Sequence, residues 1–307
     1  MPKTYKEKWE HGETRAHFIK NWEDIAFKKE REWLKKTDKT AYDRAEAEAQ
    51  KLKKEKESRL KDEESNLKKD RGNIKQLKNG YAQNKMPFAS HRYETNRKDI
   101  QPVVDFSYSV RVKDTRSGGT KKRQKGERIY SNFQGKMAER ILYDDLPNKD
   151  DFNDIDLELL PRGEWDNSDI SSKDGRINFN VKSGLDFHQI LLLTEKDYDT
   201  EGRYKHHKEN SKVEKEIFAY VRLKLDRKEL ISKFSIYSKE EFTDYFIKKY
   251  PIIEYDIFFS DSHRIKQAIR NGNIICRGCM LEGNTSMDAN NYYLLVYNMD
   301  QTLEELL

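Results

Sequence analysis

The chain has 307 residues, of which 37% are charged and only 35% hydrophobic, and a formal net charge of +5. That length allows one large domain or two modest ones, and the low apolar share requires part of the chain to be solvated helix or tail. Two cysteines, Cys276 and Cys279, exclude a disulfide framework and fit a reducing cytoplasm.

No run of about 18 apolar residues exists, which excludes a helical membrane span. The N-terminus carries no apolar signal core, so a cytoplasmic protein is expected. The mild basicity permits a polyanionic partner without requiring one.

From residue 21 to about 77 the chain reads as long helix, with no proline and with Gly72 as its single glycine. Apolar residues are sparse but spaced, at Trp22, Ile25, Trp33, Leu34, Ala45, Leu52, Leu60, Leu67 and Ile74. The last steps are close to heptads. Lys and Glu fill the intervals, often four residues apart. The pattern predicts a helical hairpin, or a long helix that meets a partner subunit, inside a charged helical extension over residues 1–100. Gly80 to Gln101 reads as a basic, aromatic linker that could lie along a nucleic-acid backbone.

A second domain is expected over residues 101–307. Val103 to Lys113 alternates and is predicted as a strand. Eight basic residues then fall between Arg111 and Arg128, around Gly118-Gly119. Lys121, Lys122, Arg123, Lys125 and Arg128 are candidate contacts to phosphates, because a flexible basic loop binds them well and folds poorly alone. Ser131 is predicted to cap a helix whose buried stripe is Phe133, Met137, Ile141 and Leu142. Asp144 to Asp169 then holds ten acidic residues against two basic ones. Such a cluster repels itself and is either solvated or organised by a metal.

The stretch Gly163 to Ser183 reads as two short strands joined by a turn. The first ends near Asp169-Ile170, the turn is Ser171 to Gly175, and the second runs from Arg176 to Lys182. Ile177, Phe179 and Val181 share one face; Asn178, Asn180 and Lys182 share the other. A half-buried lysine needs an acidic or phosphate partner, and Asp169 is placed to be one. A carboxylate on one arm and a ligand two residues before a lysine on the next can hold Mg²⁺ against a phosphodiester. The lysine then orients the attacking water or steadies the developing charge. Asp156, Glu164 and Asp166 are weaker candidate ligands. A solvated surface hairpin is the bland alternative.

Further on, Ile190 to Leu193 and Ile217 to Leu225 read as strands. Arg227 to Lys233 and Lys239 to Tyr250 read as helices, the second stopped by Pro251. Asp261 is predicted to cap a helix through Asn271, ended by Gly272. The Cys276–Cys279 pair has zinc-like spacing, but four ligands would require two distant histidines, since no second cysteine pair exists.

The hairpin resembles the active-site hairpin of the PD-(D/E)XK nuclease superfamily, and more closely that of type II restriction endonucleases. FQGKMAER, PRGEWDNSD and NVKSG occur in the corresponding order, and LEGNTSMDANNYYLL is similar to a segment near the C-terminus of many such enzymes. The resemblance covers roughly residues 103–300. It implies a mixed α/β fold, with a restriction-endonuclease-like core in which helices flank a central mixed sheet. The implied function is Mg²⁺-dependent, sequence-specific cleavage of double-stranded DNA by a homodimer, with a cognate DNA methyltransferase as genetic partner. Asp169 would hold the metal, with Asn180 or the neighbouring Val181 main chain as second ligand. Glu139 would be a helper from the preceding helix, and Lys182 would sit by the attacking water. The family pattern has Asp or Glu where this chain has Asn180. A DNA-binding protein with a disabled nuclease fold therefore stands as the alternative, beside a coiled-coil interaction protein.

Overall fold

The computed structural model describes residues 28–55, 57–58, 61, 85–110, 124–158, 169–205, 213–282, 285–304 and 306. The chain divides into two compact units, Met1–Lys69 and Asp70–Leu307. Among the described residues, no helix is long and apolar enough to cross a membrane.

In the first unit, helix α1 (Lys28–Thr37) is followed by α2, residues 39–55. The helix read from residue 21 to about 77, as a hairpin or as one long helix, is interrupted at Asp38. That carboxylate accepts a hydrogen bond from Ala41 N at 2.9 Å, the geometry of an N-cap that starts a new helix. Leu34 and Ala45 are buried in a small apolar cluster with Trp33, Ala41, Tyr42 and Ala49. Leu52, in the expected heptad seam, is exposed; Leu60, Leu67 and Ile74 lie outside the described residues.

The second unit is built on a five-stranded mixed sheet in the order β1-β6-β5-β3-β2. Its strands are β1 (His91–Glu94), β2 (Ile170–Ser171), β3 (Ile177–Leu185), β5 (Lys215–Leu223) and β6 (Ile252–Asp261). β3 and β5 are parallel; the other pairs are antiparallel. Between β3 and β5 the chain leaves this sheet for β4 (Ile190–Thr194). β4 pairs with β10 (Asn291–Leu295), which pairs with β7 (Ile274–Ile275), in a separate three-stranded sheet. A short hairpin joins β8 (Met280–Glu282) to β9 (Thr285–Ser286).

One face of the main sheet is covered by four helices: α3 (Arg97–Ser109), α4 (Lys125–Asp145), α5 (Arg227–Ile236) and α6 (Lys239–Lys249). Phe179, Val181, Ile217 and Ala219 pack there with Phe133, Met137, Ala138 and Ile141. Phe133 meets the rings of Phe234, Phe242 and Phe246 edge-on, with centroids 4.9–5.6 Å apart, a favoured aromatic arrangement. The opposite face carries α7 (Ser262–Arg270) and a second core around Phe218, Tyr220, Phe258 and Leu191.

Sequence expectations change at two of these helices. The strand predicted over Val103 to Lys113 is helix α3 as far as Ser109. Its buried residues, Ile100, Val103, Val104 and Ser107, follow helical spacing, and Asn96 caps it by accepting from Asp99 N. Pro102 falls on the exposed side. Helix α4 begins six residues before Ser131. Glu127 accepts from Gln124 N at 3.4 Å to cap it, and Ser131 Oγ donates to Glu127 O within the helix. Its expected stripe, Phe133, Met137, Ile141 and Leu142, is buried as read.

Candidate functional site

The β2–β3 hairpin forms as the sequence indicates. Asp174 accepts from Ser172 Oγ at 2.6 Å and from Arg176 N at 3.0 Å, and Gly175 takes φ +76°, a conformation suited to glycine. These bonds hold the Asp174 carboxyl below its usual range, with the Ser172 hydroxyl as the leading cause. The turn fixes the register Ile170↔Phe179. Both of those side chains enter the helix-covered core. Period-two alternation therefore turns Asp169, Asn178, Asn180 and Lys182 to the other face.

On that face three oxygens converge on one ammonium. Lys182 Nζ donates to Asn180 Oδ1 at 2.5 Å and to Val181 O at 3.3 Å, and stands 4.0 Å from Asp169 Oδ2. Asp169 is itself anchored: its Oδ2 accepts from Val181 N at 2.6 Å, and its N–H donates to Phe179 O. The two ionic side chains stay accessible, at 38% exposure for Lys182 and 27% for Asp169. Asn178 and Asn180 are buried.

Behind Asn180 lies Tyr198, in the segment after β4 and packed on Phe218. Its hydroxyl is held protonated well above the ordinary tyrosine range, first by burial, then by the negative charges of Glu216 and Asp169. The Asn180 amide is placed to hydrogen-bond to that hydroxyl and partly offsets the shift. Since Asn180 Oδ1 faces Lys182, its amide N–H group is the donor left for Tyr198. Glu216, in register with Asn178 across the parallel β3–β5 pair, points to the same face and accepts from Tyr204 N at 3.3 Å.

The predicted site residues do not all meet. Asp169, Asn180, the Val181 carbonyl and Lys182 are brought together. Glu139 lies on α4, buried on the helix-covered side of the sheet, where its carboxylate takes Lys136 Nζ at 2.6 Å. Of the basic loop, Lys121, Lys122 and Arg123 lie outside the described residues. Lys125 is exposed at the start of α4, and Arg128 turns inward to donate to Val110 O at 3.1 Å. Asp156 accepts from Glu158 N, while Glu164, Asp166 and His206-His207 lie outside the described residues. Nearby acids are engaged locally: Asp144 with Lys149 and Tyr93, Asp145 with Tyr255, Asp154 with Arg140. Cys276 and Cys279 are not disulfide-bonded; Cys279 N donates to Cys276 O in a tight turn. Tyr198 and Glu216 were not anticipated: Glu216 reaches this face through the β3–β5 pairing, which skips β4, and Tyr198 through packing on Phe218.

Among the described residues, no group of three or more His, Cys, Asp or Glu side chains could hold a metal ion. The donors around Lys182 are nevertheless hard oxygens, one of them a carboxylate, and they already converge on a cation. Mg²⁺ commonly takes one or two carboxylates and leaves the remaining positions to water and phosphate. Asp169, Asn180 and the Val181 carbonyl therefore suit it in kind.

The chain matches no family model, no curated protein and no solved structure.

Proposed function

We propose that this chain hydrolyses phosphodiester bonds of double-stranded DNA at the β2–β3 hairpin, in the manner of a type II restriction endonuclease. The observation that carries the proposal is the convergence of Asn180 Oδ1, Val181 O and Asp169 Oδ2 on Lys182 Nζ at an accessible point of an otherwise buried sheet face. Asp169, Asn180 and the Val181 carbonyl would hold Mg²⁺. When bound, that ion would polarise the phosphate and stabilise its developing charge. Asn180 and Val181 O orient the Lys182 ammonium, which is long enough to contact a phosphate oxygen or the attacking water. Asp169 is held in place by Val181 N, with its carboxylate beside the ammonium. Glu139 has no role in this scheme, being paired with Lys136 on the helix side. Cutting both strands of a palindrome calls for a two-fold dimer, and a sequence-specific nuclease requires a methyltransferase that shields the host DNA.

A second reading is a DNA-binding protein with a disabled site. Its support is Asn180 itself, an amide hydrogen-bonded to the lysine where the resembled family carries an acid.

The deciding experiment incubates plasmid and genomic DNA with Mg²⁺, with wild type and Lys182→Ala side by side. Discrete fragments from the wild type, reduced about 100-fold or more in the variant, are expected. Equal products from both proteins would remove Lys182 from the chemistry. No products, with DNA binding retained by both, would favour the disabled site.

A further inference from the structure

The two cysteines of the chain stand at the ends of one turn, and that turn gives them a chemistry the nuclease reading does not use. Cys279 N donates to Cys276 O at 3.1 Å, the bond that closes a β-turn. Gly278, the third residue, takes φ +87°, while Arg277 stays out of the positive region, which makes the turn type II. A β-turn holds the Cα atoms of its end residues within about 7 Å. Disulfides form across Cα separations of about 4.4–6.8 Å. The turn is fixed from outside as well. Arg277 N donates to Asn290 Oδ1 and Gly278 N to Met287 O, both at 2.8 Å, and Cys279 O accepts from Met287 N at 2.8 Å. Asn290 is held in turn, its amide donating to Glu195 Oε2 at 2.8 Å. The backbone between the two sulfurs is therefore already ordered, and little conformational freedom is left for a covalent bond to remove.

We propose that Cys276 and Cys279 are a reversible dithiol–disulfide pair, oxidised by exchange with a small-molecule disulfide. The inference is independent of the nuclease reading. The roles of the two sulfurs follow from burial. Cys279 is 4% exposed, whereas Cys276 is half-buried beside the exposed Arg277. Cys276 is the sulfur that a substrate can reach, and Cys279 is the one that resolves. In the first step the Cys276 thiolate attacks one sulfur of RS–SR. A bond forms from Cys276 Sγ to that sulfur, the RS–SR bond breaks, and RS⁻ leaves to take up the proton that Cys276 gave. In the second step the Cys279 thiolate attacks Cys276 Sγ, the intramolecular S–S bond forms, and the second RS⁻ leaves with the proton from Cys279. Two protein thiols lose two electrons and two protons, and the small-molecule disulfide gains both. A reducing thiol reverses the sequence. Among the described residues, no group of three or more His, Cys, Asp or Glu side chains could hold a metal ion, so the exchange meets no built zinc centre at the pair.

The test uses the full chain, with glutathione disulfide as the probe, over a series of glutathione to glutathione disulfide ratios in buffer and in denaturing urea. Samples are quenched with acid, alkylated and weighed by intact-mass spectrometry. Wild type should pass from two alkylated thiols to none, lighter by two hydrogens and carrying no glutathione. Cys279→Ser should stop at a mixed disulfide on Cys276. Cys276→Ser should lose the reaction in buffer and regain it in urea, where Cys279 is open. The equilibrium constant for ring closure in wild type should be about 10-fold or more higher in buffer than in urea, because the folded turn holds the thiols together. Circular-dichroism melts check that both variants fold, and wild type alone decides whether the ring closes. Equal constants in buffer and urea would mean that the turn contributes nothing, and would overturn the proposal. So would a folded wild type that keeps both thiols at every ratio, that retains glutathione, or that links two chains instead of closing its own ring.

Discussion

Gly184 lies in β3 two residues past Lys182, and a methyl group there would stand 2.1 Å from Tyr220 Oη, 2.7 Å from its Cζ and 3.2 Å from His188 Nδ1. The tyrosine ring is buried on β5 and lies across this glycine, on the face that carries the site. Gly184→Ala must therefore displace a packed ring. Overpacking of this kind costs about 1–3 kcal/mol. The expected result is a lower urea midpoint with an unchanged slope, read by circular dichroism; an unaltered midpoint would mean that the ring moves freely. At this scale Asp169, Asn180 and Lys182 were legible, because one turn and a period of two assign them to a face. Tyr198 and Glu216 were not, since Glu216 depends on a parallel pairing closed across about 30 residues and Tyr198 on packing against Phe218. The available signal for Glu216 was its parity with Phe218, Tyr220 and Arg222.

Elements differed in how clearly the chain announced them. The β2–β3 hairpin, β5, α5, α6 and α7 carry local signals that agree with their packing: the D-G turn, clean alternation, the Asp226 and Asp261 caps, and Pro251. Helix α3 failed because the window began at Val103. Only with Ile100 included does the spacing 100, 103, 104, 107 reveal a helical face. Strand β1 (HRYE) has no apolar alternation to find and exists through its pairing with β6. The hairpin turn has a pH dependence of its own. Asp174 is depressed in the folded state from an ordinary value of 3.8, so its contribution is present above that value and is lost as pH falls through the lower, folded one. Asp174→Asn should keep the acceptor for Ser172 Oγ and Arg176 N but lose this acid sensitivity, whereas Asp174→Ala should loosen the hairpin at every pH. Amide hydrogen exchange at Ile177 and Gly175, corrected for intrinsic rates, separates the three proteins. Identical pH profiles for wild type and Asp174→Asn would rule out the carboxylate as the cause.

At the scale of the whole molecule, composition placed a boundary near residue 100, and the fold places residues 85–100 inside the second unit. The reason is a main-chain strap that no side-chain pattern encodes. Arg222 is fully buried and bonded through two nitrogens to Asp256, with Nε–Oδ1 at 2.8 Å. Its remaining N–H groups reach Pro87 O at 3.1 Å, His188 O at 3.1 Å and Met86 O at 3.5 Å. Asp256 accepts in turn from Ala89 N, and Gln189 exchanges two hydrogen bonds with the Met86 backbone. A buried ion pair is tolerated only when its remaining donors and acceptors are met, and breaking such a network strands charge in the core. Each group left unsatisfied costs about 1–3 kcal/mol, against a total stability of about 5–15 kcal/mol. Two truncations follow. A fragment of residues 85–307 keeps the strap and β1, and should melt cooperatively with an intact near-UV spectrum. A fragment of residues 97–307 loses Met86 O, Pro87 O and Ala89 N and leaves β6 as a bare edge, which invites strand pairing between copies. It should be insoluble, or should lose the near-UV signal while keeping helix content. Equal melting of the two fragments would mean that the Arg222–Asp256 pair is satisfied without the strap, and that the second unit begins at helix α3, close to where composition had set its boundary.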